Sequence, residues 1–199
     1  EGHPVGLLWQ RAATFGDQRL LLEISTPTIK GGSWIEKAFD QGDQRYFYVR
    51  CPHCGHLQKL DWSQVTWSKD ADGVHLAETA GYLCAGDGCG TVWSDGERCA
   101  AIRNAEREGG GWIATKKFRG HASYHLSELY SCFRRLEDIV PSFLDKKAAG
   151  DLQTFVNVSL AETWEEEGDK LEASVLMARA TKFAAPVPMG AGVLTAGID

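Results

Sequence analysis

No run of about 18 apolar residues occurs anywhere in this 199-residue chain, so no membrane-spanning helix is expected. The opening EGHPVGLLWQ lacks the basic start and long apolar core of a secretory signal, which makes the cytosol the expected compartment. Positive charge is also short. Lysine and arginine number 21 against 27 aspartates and glutamates, a formal net charge of −6, so the chain as a whole does not attract nucleic acid and any such contact needs a local basic patch. The phosphate cradle GxxxxGK followed by Ser or Thr is missing; in STPTIKGGS, residues 25–33, Lys30 comes before the glycines. The zincin motif HExxH is missing too. His121 and His125 are spaced HxxxH without its glutamate, and packing or a backbone hydrogen bond is their plainer role. There is no initiator methionine: the chain starts on Glu1 and stops inside the strand-like run GVLTAGID, so it is expected to be a piece of a longer polypeptide.

What is present is a folded-domain composition, 43% hydrophobic and 24% charged, enough for one large domain or two small ones. The six cysteines are expected to be metal ligands or buried thiols, because a reducing compartment disfavours a disulfide framework. Cys51 and Cys54 stand in CPHCG, and Cys84 and Cys89 in CAGDGCG. Zinc accepts four thiolates tetrahedrally, and two such turns, each fed by strand-like residues, are the parts of a zinc ribbon. The second turn is two residues longer than the usual one, an arm that still brings both sulfurs to about 2.3 Å from a metal. A metal-free ribbon is the alternative. His53 inside the first turn and His56 beside it are either substitute ligands or exposed loop residues, and the second is the plainer role since four thiolates complete a closed site. Cys99 and Cys132 have no cysteine near them in sequence and read as small buried residues. A redox dithiol shares the CxxC spacing, but the second pair argues against it.

Along the chain, PVGLLWQRAA suits a short helix with proline in its first turn, and residues 20–24, LLLEI, suit a strand buried on both faces of a parallel sheet. WIEKAFD reads as a helix and YFYVR as a strand entering the first cysteine turn. LDWSQVTW and VHLAETAGYL read as strands joined by the hairpin turn KDADG. ERCAAIRNAEREGGG reads as a helix closed by glycines. LEDIVPSFLDKKAAG, LQTFVNVSLAETWEE and LEASVLMARAT have helical spacing, and FAAPVPMGAG has the prolines and glycines of a linker.

Three features carry chemistry without deciding it. The hydroxyls of STPT follow an apolar strand pattern, at the end where open α/β sheets bind ligands. Asp199 ends the run VLTAGID, where a carboxylate serves either as one ligand of a two-metal nuclease site or as a turn or cap. Lys116, Lys117 and Arg119 form a basic cluster that either touches a phosphate backbone or is a solvated face.

Taken together, LLLEISTPTIKGGSWIEKAFDQGDQRYFYVRCPHCGHLQ, HASYHLSELYSCF, LQTFVNVSLAETWEEEGDK and GVLTAGID resemble the large terminase subunit of tailed bacteriophages, the lambda-type GpA family, in order and interval. The resemblance implies an α/β fragment. Residues 1–33 would be the tail of a P-loop ATPase core, 34–108 an insertion holding the zinc ribbon, 109–185 a mostly helical linker, and 186–199 the first strand of an RNase H-like nuclease. It also implies that Ser25, Thr26 and Thr28 belong to the ATPase coupling motif. Cys51, Cys54, Cys84 and Cys89 would hold structural Zn2+, and Asp199 would bind Mg2+ or Mn2+ as a nuclease ligand. The parent would use ATP to drive double-stranded DNA into a procapsid and would cut the concatemer. Its implied partners are the small terminase subunit and the portal of the procapsid, in a ring in the host cell cytoplasm, with no membrane. Without Walker motifs or later nuclease carboxylates, the fragment by itself is expected to be inactive. The rival is a stand-alone zinc-ribbon module that binds nucleic acid or protein.

Overall fold

Aromatic and β-branched residues in RYFYVR favour extended backbone, and in the computed structural model, which describes residues 4–165, this segment is the central strand of a mixed sheet. In chain order the elements are α1 (Pro4–Arg11), α2 (Trp34–Gln41), β1 (Arg45–Arg50), β2 (Leu57–Lys59), β3 (Val65–Lys69), β4 (His75–Leu83) and β5 (Val92–Trp93). They continue with α3 (Asp95–Asn104), β6 (Gly111–Ala114), β7 (Tyr124–His125), α4 (Leu136–Ala148) and α5 (Leu152–Thr154), the last running into a π-helical turn at Phe155–Ser159. β1 pairs antiparallel with β2 and β6, and in parallel with β7. A second, antiparallel sheet has the order β3-β4-β5. The architecture is therefore mixed α/β with two small sheets.

Several local signals act as the residue types dictate. In the β3–β4 turn the Asp70 carboxylate accepts from the Asp72 and Val74 amides at 2.9 and 2.8 Å, closing the hairpin read in KDADG. Ser94 and Glu97 form a reciprocal capping box that starts α3, each side chain accepting from the other's backbone amide. The core joins both sheets to α4: Val49, Tyr82, Trp93, Leu136, Ile139 and Val140 are all fully buried. Trp62, Trp67, Phe143 and Phe155 add an aromatic cluster with ring centroids 4.8 to 6.2 Å apart. Burial raises the pKa of the Tyr82 and Tyr130 phenols, and both hydroxyls are spent inside: Tyr130 donates to the Phe47 carbonyl and accepts from the Leu60 amide.

Three segments differ from the sequence pattern. Residues 20–24 form no strand; Leu20, Leu22 and Ile24 are 89%, 77% and 84% exposed. An apolar run becomes a buried strand only when neighbours cover both of its faces, and none of the described residues does so here. The helix expected from LQTFVNVSLAETWEE is confined to α5 and the π turn, after which residues 160–165 are irregular apart from one bridge at Trp164. β6 and β7 lie in the stretch assigned to a helical linker. The helix LEASVLMARAT, the linker FAAPVPMGAG, the nuclease strand and Asp199 lie outside the described residues.

Candidate metal centre

The turn CPHCG connects β1 to β2, and the turn CAGDGCG connects β4 to β5, so each sheet contributes one cysteine pair. The first turn is closed by the Cys51 amide donating to His56 O and the Gly55 amide donating to Cys51 O, both at 2.9 Å. Gly55 has φ of +73°, a left-handed conformation that a side chain would strain. In the second turn the Cys84 amide donates to Thr91 O at 3.0 Å and the Cys89 amide to Gly86 O at 3.1 Å. The two turns meet at Gly86, where a Cβ would stand 2.8 Å from the Cβ of His56 and 3.3 Å from the Cys54 sulfur.

This approach brings four sulfurs together. The Sγ atoms of Cys51, Cys54, Cys84 and Cys89 all lie within 4.8 Å of one another, with Cys51–Cys89 at 3.9 Å and Cys54–Cys84 at 3.7 Å. These separations are far longer than a disulfide bond, about 2.05 Å. They match the edge of a tetrahedron whose centre is about 2.3 Å from each sulfur, which is about 3.8 Å. The four thiols can hold one metal ion.

The surroundings favour the thiolate at Cys51 and Cys89 and the thiol at Cys54 and Cys84. Burial works against the Cys51 thiolate, but the amides of Cys54 and His53, donating to its sulfur at 3.5 and 3.4 Å, bring its pKa below the ordinary value. The hydroxyl and amide of Thr91 take Cys89 down to about 6, whereas burial pushes Cys84 up to about 12. Around Cys84, Gln58 is a buried bracket: its Nε2 approaches the sulfur at 3.6 Å while its Oε1 accepts from the Ala85 amide at 2.8 Å. Neither histidine joins the cluster. His53 is exposed and pairs with Glu97 at 2.9 Å, and exposed His56 packs on Gly86.

The remaining candidates fall elsewhere. Ser25 and Thr26 are exposed, with the Ser25 hydroxyl donating to Thr26 O at 3.0 Å. Thr28 is tied down through its backbone: its amide donates to Ser33 Oγ, and its carbonyl accepts from Asn157 Nδ2 and the Trp164 amide, both at 2.9 Å. His121 is exposed, while His125 is largely buried beside Phe39 and Tyr46, and burial lowers its pKa. Cys99 is buried and Cys132 half-buried, and the two thiols are neighbours that together with burial push Cys99 up to about 11.

Comparison with known proteins then decides the family. Residues 1–112 match the phage terminase large subunit gpA ATPase domain, and residues 121–199 match the terminase large subunit gpA endonuclease domain. The chain belongs to the phage terminase large subunit gpA family. Among its curated relatives is a terminase large subunit of Enterobacteria phage P21, 34% identical over 203 residues. Another is a terminase large subunit of Escherichia phage lambda, 30% identical over 194 residues. Each alignment covers 88% of this chain but only 29% and 30% of the respective relative, so the chain spans less than a third of their length. No solved structure matches it.

Both cysteine pairs of this terminase chain fall within the ATPase match, while Asn157 and Trp164 fall within the endonuclease match. The backbone of residues 28–30 is therefore a joint between the two matched regions. Ile29 and Trp164 form a parallel bridge, the Lys30 amide donates to Trp164 O at 3.0 Å, and the Lys30 ammonium pairs with Glu165. Asn157 carries the joint, since its Nδ2 also donates to Glu162 O at 2.8 Å. Nothing in the local sequence marks Gln58 or Asn157, because the partners that give them their roles, Cys84 and Ala85 for the one and Thr28 for the other, lie far away along the chain. No helix among the described residues is long and apolar enough to cross a membrane.

Proposed function

We propose that this chain is the central part of a terminase large subunit, an ATP-driven DNA translocase and metal-dependent endonuclease that cuts concatemeric DNA and packages it into procapsids. The observation that carries the reading is the succession, on one chain, of an ATPase match followed by an endonuclease match. Residues 1–33 form the tail of the P-loop ATPase core, 34–108 the insertion with the ribbon, 109–185 the linker, and 186–199 the start of an RNase H-like nuclease domain. The exposed leucines of residues 20–24 support the first assignment, because they suit a strand that sits in a larger sheet.

Cys51, Cys54, Cys84 and Cys89 hold one Zn2+, supported by the tetrahedral spacing of their sulfurs. A closed four-thiolate site leaves no position for substrate, so the ion is structural and fastens the two sheets together. Ser25, Thr26 and Thr28 respond to the γ-phosphate of ATP in the parent. The latching of Thr28 O to Asn157 and Trp164 gives such a response a route toward the endonuclease region. Asp199 is a ligand for Mg2+ or Mn2+ in the nuclease centre. The chain carries no GxxxxGK[ST] sequence, so it does not hydrolyse ATP alone. Its partners are double-stranded DNA, the small terminase subunit and the portal of the procapsid, in an oligomeric ring in the host cytoplasm.

The test is made in the full-length parent. Asp199→Ala should abolish Mg2+-dependent cleavage of concatemeric DNA while leaving DNA-stimulated ATP hydrolysis within twofold of the unaltered enzyme. Full cleavage by this variant would overturn the metal-ligand role, and a parent with neither activity would overturn the reading as a whole.

A further inference from the structure

Carboxylates are absent from two stretches of this acidic chain, residues 44–60 and 109–127, and each stretch carries three lysines or arginines. The fold places them side by side. β1 and β2 come from the first, β6 and β7 from the second, so the mixed sheet is built from strands without a negative side chain. Asp43, at the edge of the first stretch, is buried and spent within the structure. Its carboxylate pairs with Arg45 at 2.7 Å, and its backbone carbonyl accepts from the Thr115 and Lys116 amides at 3.2 and 3.0 Å, fixing the start of the β6–β7 loop.

From that anchored loop Lys117 and Arg119 project as exposed residues with no ion pair among the described residues. Three aromatic rings accompany them. Trp112, Phe118 and Tyr124 are 37%, 54% and 51% exposed. Trp112 and Tyr124 stand edge-on at 4.9 Å, and the Arg45 guanidinium lies 5.2 Å from the Tyr124 ring and 6.0 Å from the Phe118 ring. Register explains the grouping: Arg45 is opposite both Ala114 and Tyr124, and Phe47 is opposite Trp112, so Arg45, Trp112 and Tyr124 share one face of the sheet.

The geometry points to a binding surface for a single strand of DNA on this face, with Lys117 and Arg119 on the phosphates and Phe118, Trp112 and Tyr124 beneath the bases. Covering the face with protein would bury two cations that have no ion pair among the described residues, which is costly, whereas a phosphate backbone supplies the partners. Half-exposed rings gain most from unpaired bases; a duplex keeps its bases stacked on one another and offers mainly its phosphate rails. The inference rests on the reading above only for the choice of DNA as the nucleic acid.

Binding of a fluorescent single-stranded oligonucleotide and of its duplex to this chain, followed by anisotropy from 50 to 200 mM salt, tests it. With Lys116 of the same loop engaged beside Lys117 and Arg119, log affinity for the single strand should fall against log salt with a slope of about −2, and the duplex should bind more weakly. Lys117→Ala with Arg119→Ala should reduce the slope to about −0.7, and Phe118→Ala should weaken single-strand binding about tenfold. Lys69→Ala with Arg103→Ala, which removes the same charge from β3 and α3, should leave binding within twofold. Equal loss in that control, preference for duplex, indifference to Phe118→Ala, or no binding would each overturn the proposal. The same substitutions made in the full-length parent, read by cross-linking to an iododeoxyuridine oligonucleotide, cover the case in which a variant of the chain fails to fold. A parent that cleaves DNA through Asp199 yet shows no cross-link sensitive to these residues refutes the surface and leaves the terminase reading standing.

Discussion

Residues 4–24 and residues 45–105 are about equally rich in apolar side chains, yet they end in opposite environments. α1 and the 3-10 stretch after it contain no buried residue, and the leucines beyond them face solvent. In the second region, β1 to α3 hold Val49, Tyr82 and Trp93 at zero exposure, and two cysteine turns meet sulfur to sulfur. The difference lies in where the covering surface comes from. The cysteine region has a second layer, because β3-β4-β5 and, from further along the chain, α4 close over it, and four thiols able to hold one metal ion lie between the sheets. The N-terminal segment has an apolar pattern but no layer of its own among the described residues. Hydrophobicity creates a need for burial without supplying the partner.

The largest effect that could break this contrast is loss of the metal. Structural zinc contributes about 10–16 kcal/mol in small thiolate sites, as much as the whole stability of an ordinary domain, about 5–15 kcal/mol. Cys51→Ser should therefore lose both the ion and the fixed packing of Tyr82 and Trp93 at 37 °C, seen as collapse of the near-ultraviolet circular dichroism. A smaller effect is expected at Arg98. This fully buried guanidinium pairs with Asp95 at 2.8 Å and donates to the carbonyls of Leu129, Ser131 and Arg134, fastening α3 to the loop before α4. Arg98→Ala should cost about 3 kcal/mol in urea unfolding, because it leaves those carbonyls without their donor and the Asp95 carboxylate with the Leu136 amide but no counter-charge. The smallest effect sharpens the comparison from the other side. Leu22→Ser should change the stability of this chain by less than about 0.5 kcal/mol, but should destabilise the full-length parent by about 2–3 kcal/mol if a surrounding sheet buries it there.

These contrasts also mark what the sequence makes legible. The Asp70 turn and the two cysteine turns are legible because each is complete within a few residues, and the Ser94–Glu97 box, just as local, is a signal that the sequence reading passed over. The cysteine pairs add a long-range statement, since only four ligands together make a useful site, and the sulfurs are indeed brought together. Arg98 escapes notice because its carbonyl partners lie more than 30 residues further on. Gln58 and Asn157 are silent for the same reason. Their polarity becomes informative only when burial forces each side-chain amide to find distant partners. The strand read into residues 20–24 fails in the complementary way: its composition is right, but nothing among the described residues covers it.

The central claim is that four sulfurs from two sheets grip one ion. Metal content of the chain purified from zinc-supplemented cells, measured together with a thiol titration before and after chelation, tests it most directly. The account predicts one zinc per chain, with Cys51, Cys54, Cys84 and Cys89 unreactive until a chelator removes the ion. A metal-free chain of unchanged melting temperature, or a Cys51→Ser variant that keeps its full complement of zinc, would contradict it.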